Sequence, residues 1–243
     1  MKVVATYSIK GGVGKTSAAV NLGALAARDG LRIVIWDLDP QGAASFLFRV
    51  EPKVKGGSKQ LIKGRREPID VMKGTDIEGL DLLPADFSYR HLDIQLDKRK
   101  KPLEGLSGVL DQIADDYDLA ILDCPPSISL VSESVFTAAD LLLVPLVPST
   151  LSARTYEQLR AFLAAGPQPA PEVLAFFSMF DRRKKLHKEL METLPAAAAA
   201  IPSASPVELM GVRRAPLVAT QPRHPAAVAY AALWDELRRA ISV

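Results

Sequence analysis

The sequence predicts an α/β fold in which a mainly parallel, twisted sheet is flanked by helices. Two observations support this prediction. Short apolar runs that are typical of buried strands alternate with longer segments of helical spacing, as in parallel sheets covered on both faces. The 243 residues, of which 48% are hydrophobic, are enough for a large core without disulfides or metal. We expect one domain over residues 1–243.

Six apolar runs predict strands. The first lies directly before a glycine-rich turn, and the second and fourth are each followed by an aspartate. Residues 196–201 are ambiguous, because their alanine run favours a helix whereas their position before Pro202 favours a short buried strand. We favour the strand. The six predicted strands are residues 3–7, 32–36, 80–83, 119–122, 141–147 and 173–179.

Six further segments predict helices. The first ends near Gly30, which is a frequent helix stop. In the last, apolar residues recur at helical spacing from Tyr230 to Ile241, and we expect that stripe to pack on the sheet. Residues 51–68 are rich in lysine and glycine and predict a mobile surface loop or lid. The predicted helices are residues 16–28, 42–48, 103–114, 152–164, 183–194 and 226–241.

A glycine-rich turn joins the first strand to the first helix. Gly11, Gly12 and Gly14 let backbone amides approach an anion closely, and the positive end of the helix points to the same place. Lys15 can reach the β and γ phosphates of a nucleotide, and the Thr16 hydroxyl can bind Mg²⁺. A merely structural turn is less favoured, and a dinucleotide site would need G-x-G-x-x-G. The turn therefore predicts a triphosphate site.

This turn departs from the general pattern G-x-x-x-x-G-K-[ST] in two respects. The chain has Ile9 where the pattern has glycine, and it has an additional lysine, Lys10, before the glycines. The phosphates can still be held by residues 11–16, so Ile9 does not disable the predicted site.

Three aspartates follow predicted strands. Asp37 and Asp39 lie after the second strand, and Asp123 lies after the fourth. One of the first two could hold Mg²⁺ through water while the other orients a water on the γ-phosphate, although an Asp-Pro turn cap is the alternative. The single cysteine, Cys124, is interpreted as a small buried residue rather than a nucleophile.

Basic residues are concentrated in runs although the net charge is only +2. Residues 53–66 hold six Lys or Arg and no acid, residues 98–101 and 182–185 are consecutive basic residues, and residues 213–214 are a pair. Such runs bind phosphate backbones or are solvated surface, and both interpretations stay open. The three histidines, His91, His187 and His224, have no metal-binding spacing and are interpreted as surface or incidental residues.

The N-terminus shows no secretory signal, because no apolar h-region precedes the first strand. No run of 18 apolar residues occurs either, so no spanning helix is expected. We therefore expect a cytoplasmic protein.

Three motifs resemble the deviant Walker A ATPases of the ParA/Soj/MinD group, a family of P-loop NTPases. They are KGGVGKT at 10–16, DLDPQG at 37–42 and ILDCPPS at 121–127. The resemblance implies ATP and Mg²⁺ as cofactors and ATP hydrolysis. It also implies a homodimer in which the two chains face each other across two ATP molecules. It implies that Lys10, Lys15 and Asp39 are catalytic, with Lys10 contacting the partner's phosphates, and that Thr16, Asp37 and Asp123 support Mg²⁺.

The resemblance also implies further contacts and partners. The residues expected at the nucleotide are Lys10, Gly11, Gly12, Val13, Gly14, Lys15, Thr16, Ser17 and Pro202. Those expected at nonspecific DNA are Arg182, Arg183, Lys184, Lys185, Arg213 and Arg214. A cargo or adaptor protein that stimulates hydrolysis is a further expected partner. The adenine contacts stay open, because Ser-Ala-Ser-Pro follows Pro202 where many relatives have Arg-Asn.

Ile9 favours the ParA side of the group, which implies positioning of a plasmid, chromosome or protein assembly on the nucleoid. The alternative is a MinD-like regulator at a membrane, although no membrane contact is expected. A metabolic ATPase or kinase is the third possibility.

Overall fold

The computed structural model describes residues 1–166, 169–194, 196 and 199–243. These residues form one sheet of eight strands in the order β3-β4-β2-β5-β1-β6-β7-β8. All neighbouring strands are parallel except β3 and β4. The predicted mainly parallel sheet is therefore confirmed. The strands are β1 (Lys2–Thr6), β2 (Ile33–Asp37), β3 (Lys73–Gly74), β4 (Leu80–Leu83), β5 (Leu119–Asp123), β6 (Leu141–Leu146), β7 (Glu172–Phe180) and β8 (Ala200–Pro202).

Helices cover the sheet, and short 3₁₀ turns lie at Pro68–Asp70, Phe87–His91 and Asp111–Ile113. The helices are α1 (Lys15–Arg28), α2 (Ala43–Leu47), α3 (Gly57–Ile62), α4 (Leu92–Asp97), α5 (Ser107–Leu110), α6 (Leu130–Ala138), α7 (Thr150–Ala165), α8 (Lys185–Thr193), α9 (Ser205–Glu208), α10 (Met210–Arg213), α11 (Leu217–Thr220) and α12 (Pro225–Ile241).

Alternation along the strands divides the core into two clusters. In β2, Val34 and Trp36 belong to one cluster, and Ile33 and Ile35 belong to the other. The first cluster includes side chains from α3 to α7, and residues of α8 pack against it, so we call this side the α3–α8 face. The second includes side chains from α1, α2 and α10 to α12, and we call it the α1/α12 face.

The parallel register brings three polar side chains together at the carboxyl edge of the sheet. Thr6 at the end of β1 pairs with Asp123 at the end of β5, and Asp37 at the end of β2 pairs with the same residue. The loop after β1 leaves the sheet at this edge and leads into α1. Ligands of open α/β sheets bind beyond this edge.

The interpretation of residues 51–68 as a loop or lid is wrong. The segment contains α3, and three of its apolar side chains, Val54, Leu61 and Ile62, are buried in the α3–α8 face. The Val54 amide donates a 2.8 Å hydrogen bond to Asp86 Oδ2. The apolar positions are few, but they lie on one side of the segment, and this is enough to anchor it.

Other boundaries also differ from the predictions. The helix predicted at 103–114 is confined to α5 and a 3₁₀ turn. Helix α6 was not predicted. It begins at a capping box, in which the Ser129 amide donates to Ser132 Oγ at 3.3 Å and the Ser129 side chain accepts from the Ser132 amide. The predicted strand at 196–201 is confirmed only as β8, because residues 197 and 198 lie outside the described part of the chain.

The last helix confirms the predicted packing. Tyr230, Leu233, Trp234, Leu237 and Ile241 of α12 are all buried in the α1/α12 face. Over the described residues, we find no helix that is both long and apolar enough to span a bilayer.

Candidate nucleotide site

The glycine-rich loop between β1 and α1 needs glycine at two positions. Gly12 and Gly14 have φ values of +69° and +97°, a region that other residues rarely adopt. A Cβ on Gly14 would also lie 2.7 Å from Ser178 Oγ of β7. The backbone therefore turns into α1 through two positive φ angles, and at Gly14 there is no room for a side chain either, which suits an anion cradle.

Lys15 is buried at the first position of α1 and is 7% exposed. Its Nζ donates a 3.0 Å hydrogen bond to the Lys10 carbonyl, so the side chain folds back over the loop. Burial lowers the pKa of Lys15, whereas the nearby Asp123 acts in the opposite direction. A cation held inside the loop in this way is suited to the phosphates of a nucleotide.

Asp123 lies at the centre of the carboxyl edge and is fully buried. The Thr16 hydroxyl donates to its Oδ2 at 2.7 Å, and the Thr6 hydroxyl lies 3.3 Å from its Oδ1. Burial, followed by the neighbouring charge of Asp37, raises the pKa of Asp123 to about 8. Thr6 was not predicted, and only the strand register shows that it belongs to the site.

Asp37 is the second buried carboxylate of this edge. Its Oδ2 accepts hydrogen bonds from the Ser45 amide and hydroxyl, both at 2.8 Å, which tie α2 to the end of β2. Its Oδ1 is buried and has no hydrogen-bond partner among the described residues. Burial raises the pKa of Asp37 to about 6, although the two bonds from Ser45 act to lower it.

The donor set suits Mg²⁺. Asp37 Oδ1 is an orphaned buried oxygen, and Asp123 and the Thr16 hydroxyl add further oxygen ligands, which Mg²⁺ prefers. No group of three or more His, Cys, Asp or Glu side chains in the described part of the chain could enclose a metal. Mg²⁺ is commonly bound by one or two carboxylates together with substrate phosphates, and these residues match that mode.

Asp39 lies on the rim of the site rather than in the buried pair. It is half-buried, and its Oδ1 accepts a 2.9 Å hydrogen bond from the Gln41 amide. The structure therefore shows the turn contact that the alternative interpretation of Asp39 expected. The other oxygen stays available to a water or a ligand at this edge.

Lys10 points away from its own loop. Its Nζ lies 3.3 Å from Ser152 Oγ in the first turn of α7, whereas Lys15 occupies the cradle. Ile9 packs against the α3–α8 face, which explains an apolar residue where the general pattern has glycine. The side-chain amines of the two lysines therefore lie in different places, although Lys15 bonds to the Lys10 backbone.

The other predicted nucleotide residues lie around α1. Val13 is buried in the loop. Ser17 accepts a hydrogen bond from Asn21 Nδ2 at 2.7 Å through its carbonyl. The other end of the Asn21 side chain, Oδ1, accepts a 3.0 Å hydrogen bond from the Val218 amide. This bond ties α1 to α11 and was not predicted. Pro202 ends β8, and nothing in the contacts of the described residues connects it to the loop.

Cys124 follows Asp123 and is buried, as predicted. Burial raises the pKa of its thiol well above the ordinary value, so the thiolate is disfavoured. The histidines are interpreted from the sequence as surface or incidental residues, and His187 does not lie at the surface. That side chain is buried, and its Nδ1 accepts a hydrogen bond from the Asp181 amide at 3.0 Å.

The residues predicted to bind DNA lie in two places. Residues 182–185 follow β7 and are exposed, with Arg183 paired to Asp181 at 2.9 Å and Lys185 to Glu189 at 3.5 Å. The Arg214 guanidinium lies 4.6 Å from the Phe46 ring centre of α2, on the α1/α12 face. No hydrogen bond or ion pair joins the two runs within the described ranges.

Comparisons with known proteins agree with this geometry. A family described as "AAA domain" matches residues 1–165. The chain is 30% identical over 207 residues to the chromosome partitioning protein ParA of Caulobacter vibrioides, covering 81% of this chain and 76% of that protein. It is 35% identical over 145 residues to the sporulation initiation inhibitor protein Soj of Bacillus subtilis, covering 59% of this chain and 57% of Soj.

A solved structure gives the same result for the fold. The structure of cobyrinic acid a,c-diamide synthase from Mycobacterium smegmatis, with a bound ATP analogue and magnesium, superposes with a TM-score of 0.83 at 27% identity. The match covers 99% of this chain and 96% of that one. Its ligands agree with the nucleotide and metal that the motifs predict. The chain belongs to the ParA/Soj/MinD family of ATPases and contains an AAA domain.

Proposed function

We propose that this protein is a Mg²⁺-dependent ATPase that dimerises when ATP is bound, binds DNA without sequence preference, and segregates or positions a cargo. One observation supports the proposal above all others. A single edge of the sheet holds a buried lysine, a buried carboxylate pair and a hydroxyl around a glycine cradle, while a second lysine points away from that cradle.

The nucleotide and metal would be held by separate parts of this edge. The loop amides and Lys15 bind the phosphates, and Thr16, Asp37 and Asp123 hold Mg²⁺ directly or through water. When held there, Mg²⁺ would supply positive charge against the phosphate oxygens. Asp39 on the rim orients a water towards the γ-phosphorus, whose bond to the bridging oxygen breaks to release ADP and phosphate.

Lys10 would make the site sensitive to a second copy of the chain. Two bound triphosphates repel each other strongly when two such edges face one another. A lysine supplied from each side offsets that repulsion and favours the dimer only when ATP is present. Release of its weak contact with Ser152, 3.3 Å long, frees Lys10 for this role.

The cargo and location follow from the same family. The relatives named ParA and Soj act in chromosome partitioning and control of sporulation by their names, and a plasmid, chromosome or protein assembly is the corresponding cargo here. An adaptor or cargo protein that stimulates hydrolysis is the expected partner. We propose a location in the cytoplasm, on the nucleoid, where the exposed residues 182–185 and Arg213, with the half-buried Arg214, contact DNA phosphates.

The test is binding to a random-sequence duplex with ATP and with ADP. We expect binding with ATP to be tighter, and an Asp39→Ala variant to keep ATP-dependent binding while its hydrolysis slows by about 10²-fold or more. The matched control is Asp118→Ala, an acid at the start of β5 that is far from the carboxyl edge. Equal affinity with ADP and ATP contradicts the proposal, and normal turnover removes Asp39 from it.

The MinD-like alternative receives no support from the last helix. Its apolar stripe is buried against α1 and the sheet, so it is not free to enter a membrane. ATP-dependent sedimentation with anionic liposomes would nevertheless favour that alternative over DNA binding.

A metabolic ATPase or kinase would need a substrate pocket beside the nucleotide, and one cavity has to be considered for that role. An apolar cavity of about 300 Å³ lies between α6 and α7, lined by Phe136, Phe162 and Pro171 among others. Pro171 immediately precedes β7, so the cavity lies at the amino edge of the sheet, opposite the phosphate loop. It cannot place a substrate at the γ-phosphate. Detection of a phosphorylated or amidated small product would overturn this reasoning.

A further inference from the structure

Two basic runs that the proposed function does not use come together in the structure. The Arg99 guanidinium donates from Nη1 to the Ile62 carbonyl at the end of α3. This contact joins the run at 53–66 to the run at 98–101, which are separated by more than thirty residues in the sequence. Lys63, Lys98 and Lys100 flank the contact on its two sides.

The joined segments are rigidly held. Leu61 and Ile62 of α3 and Leu96 of α4 are buried together in the α3–α8 face. The Ser58 amide donates to Ser88 Oγ at 2.9 Å, which ties the start of α3 to the 3₁₀ turn at Phe87–His91. None of these anchors involves a residue of the nucleotide loop, so the surface is formed without nucleotide.

Most of the lysines and arginines in the two basic runs have no ion-pair partner among the described residues. Arg66 pairs with Asp70 at 3.6 Å and Lys101 with Glu104 at 2.8 Å. Seven further cations of the two runs are exposed and form no ion pair with any described residue, and we call these seven the α3 basic surface. They are Lys53, Lys55, Lys59, Lys63, Arg65, Lys98 and Lys100.

The composition of the surface indicates its ligand. Neither run itself contains an exposed large apolar side chain, although Ile69, Phe87 and Ile94 are exposed next to the runs. Protein partners are usually anchored by aromatic or apolar side chains, and membrane-binding helices insert an apolar face. A dense group of unpaired lysines without such anchors suits the phosphate backbone of a nucleic acid.

The helices beneath this surface and the predicted DNA residues at 213–214 pack on different faces of the sheet. Leu61 and Ile62 beneath it belong to the α3–α8 face, whereas Met210, which anchors α10, belongs to the α1/α12 face. The two groups nevertheless adjoin at one edge, where Arg214 lines a cavity together with Glu51 and Pro52, and Arg49 donates to the Arg213 carbonyl at 3.3 Å.

We propose that the α3 basic surface is a second DNA-binding surface, which contacts phosphates whether or not nucleotide is bound. It does not rest on the proposed ATP cycle, because its geometry depends on neither the phosphate loop nor a second copy of the chain.

The test measures the salt dependence of binding to a random-sequence duplex by the nucleotide-free protein. The variant is Lys63→Gln with Lys100→Gln, and the matched control is Arg160→Gln with Arg239→Gln, two exposed arginines on α7 and α12 without an ion-pair partner among the described residues. Each lost phosphate contact reduces the slope of log K against log salt by about 0.9, so we expect a reduction of about 2 in the variant and none in the control.

Several results would overturn the proposal. They are an absence of nucleotide-free binding in the wild type, an unchanged slope in the variant, and an equal loss in the control. Weaker binding to phosphatidylglycerol vesicles with unchanged DNA binding would assign the surface to membrane instead. Thermal unfolding of each variant excludes misfolding as the cause of a loss.

Failure of the proposed function is distinguishable from failure of this surface. The variant Arg213→Gln with Arg214→Gln should reduce the additional binding that ATP produces and leave nucleotide-free binding intact. If ATP adds no binding at all, the proposed function fails while the slope measurement still decides the α3 basic surface.

Discussion

Two regions of this molecule have the same local design and different chemistry. The phosphate loop turns into α1 through Gly12 and Gly14, and the basic segment turns into α3 through Gly56 and Gly57, all four with positive φ. A lysine follows each turn. Lys15 is buried beside carboxylates, whereas Lys59 is exposed. A glycine turn before a helix is therefore not sufficient for a site; buried charge around the turn is the distinguishing feature.

The largest effect is expected when each of these lysines is replaced by glutamine in a separate variant. Lys15→Gln should reduce kcat by about 10²–10³-fold, because it removes a preorganised cation from the phosphates. Lys59→Gln should leave turnover unchanged, because its side chain lies on the exposed side of α3. Steady-state ATP hydrolysis measures both. Equal losses would show that the contrast between the two turns is mistaken.

Replacing a glycine by alanine should also cost more stability in the phosphate loop than in the turn before α3. In Gly14→Ala, positive φ combines with a Cβ only 2.7 Å from Ser178 Oγ, and we expect a loss of about 2–3 kcal/mol in the free energy of unfolding. In Gly56→Ala the nearest atom is the flexible Gln60 side chain at 3.0 Å, so about 1 kcal/mol is expected. Urea unfolding measures both values, and a larger loss at Gly56 would contradict the comparison.

The buried carboxylates should make stability depend on pH in a definite direction. The folded-state pKa values of Asp37 and Asp123 are raised to about 6 and about 8. Folded protein therefore binds these protons more tightly than unfolded protein, and the resulting stability is lost progressively as pH rises from about 4, the ordinary aspartate range, to about 8. We expect the nucleotide-free protein to have a lower urea midpoint at the upper end of that window.

Two variants isolate the cause of this pH dependence. Asp123→Asn should remove most of it. Asp118→Asn should retain it, because hydrogen bonds from Arg32 lower the pKa of Asp118 to about 2 and keep it ionised throughout the window. A midpoint that still falls normally in Asp123→Asn would assign the effect to other groups.

The smallest expected effect concerns Ser152. Its hydroxyl lies 3.3 Å from Lys10 Nζ, so Ser152→Ala should free Lys10 and strengthen ATP-dependent dimerisation by at most about fivefold, the value of one weak hydrogen bond. Thr155→Ala is the control, because its hydroxyl bonds only within α7. Weaker dimerisation in Ser152→Ala would show that the contact prepares Lys10 instead of restraining it.

The sequence predicts those parts of the structure that depend on local patterns. Apolar runs identify six strands, and the spacing of Gly14, Lys15 and Thr16 identifies the loop, because strand, turn and helix signals coincide there. The strand ends also predict Asp37 and Asp123 correctly as residues of one edge, since parallel strands end together.

The sequence does not predict features that depend on contacts between distant segments. Thr6 and Ser45 join the site through the strand register and through the return of α2, and neither has a distinguishing motif. The segment 51–68 is interpreted incorrectly because its few apolar residues find partners in α4 and α5, which are distant in sequence. The approach of Arg99 to Ile62 has the same origin.

The most direct test of the central claim is the molar mass of the protein in solution with ATP and Mg²⁺, measured for wild type, Lys10→Ala and Lys59→Ala. We expect wild type and Lys59→Ala to double in mass with ATP but not with ADP, and Lys10→Ala to bind ATP and stay monomeric. A Lys10→Ala protein that dimerises with ATP as the wild type does would contradict the account, because Lys10 would then have no role across the interface.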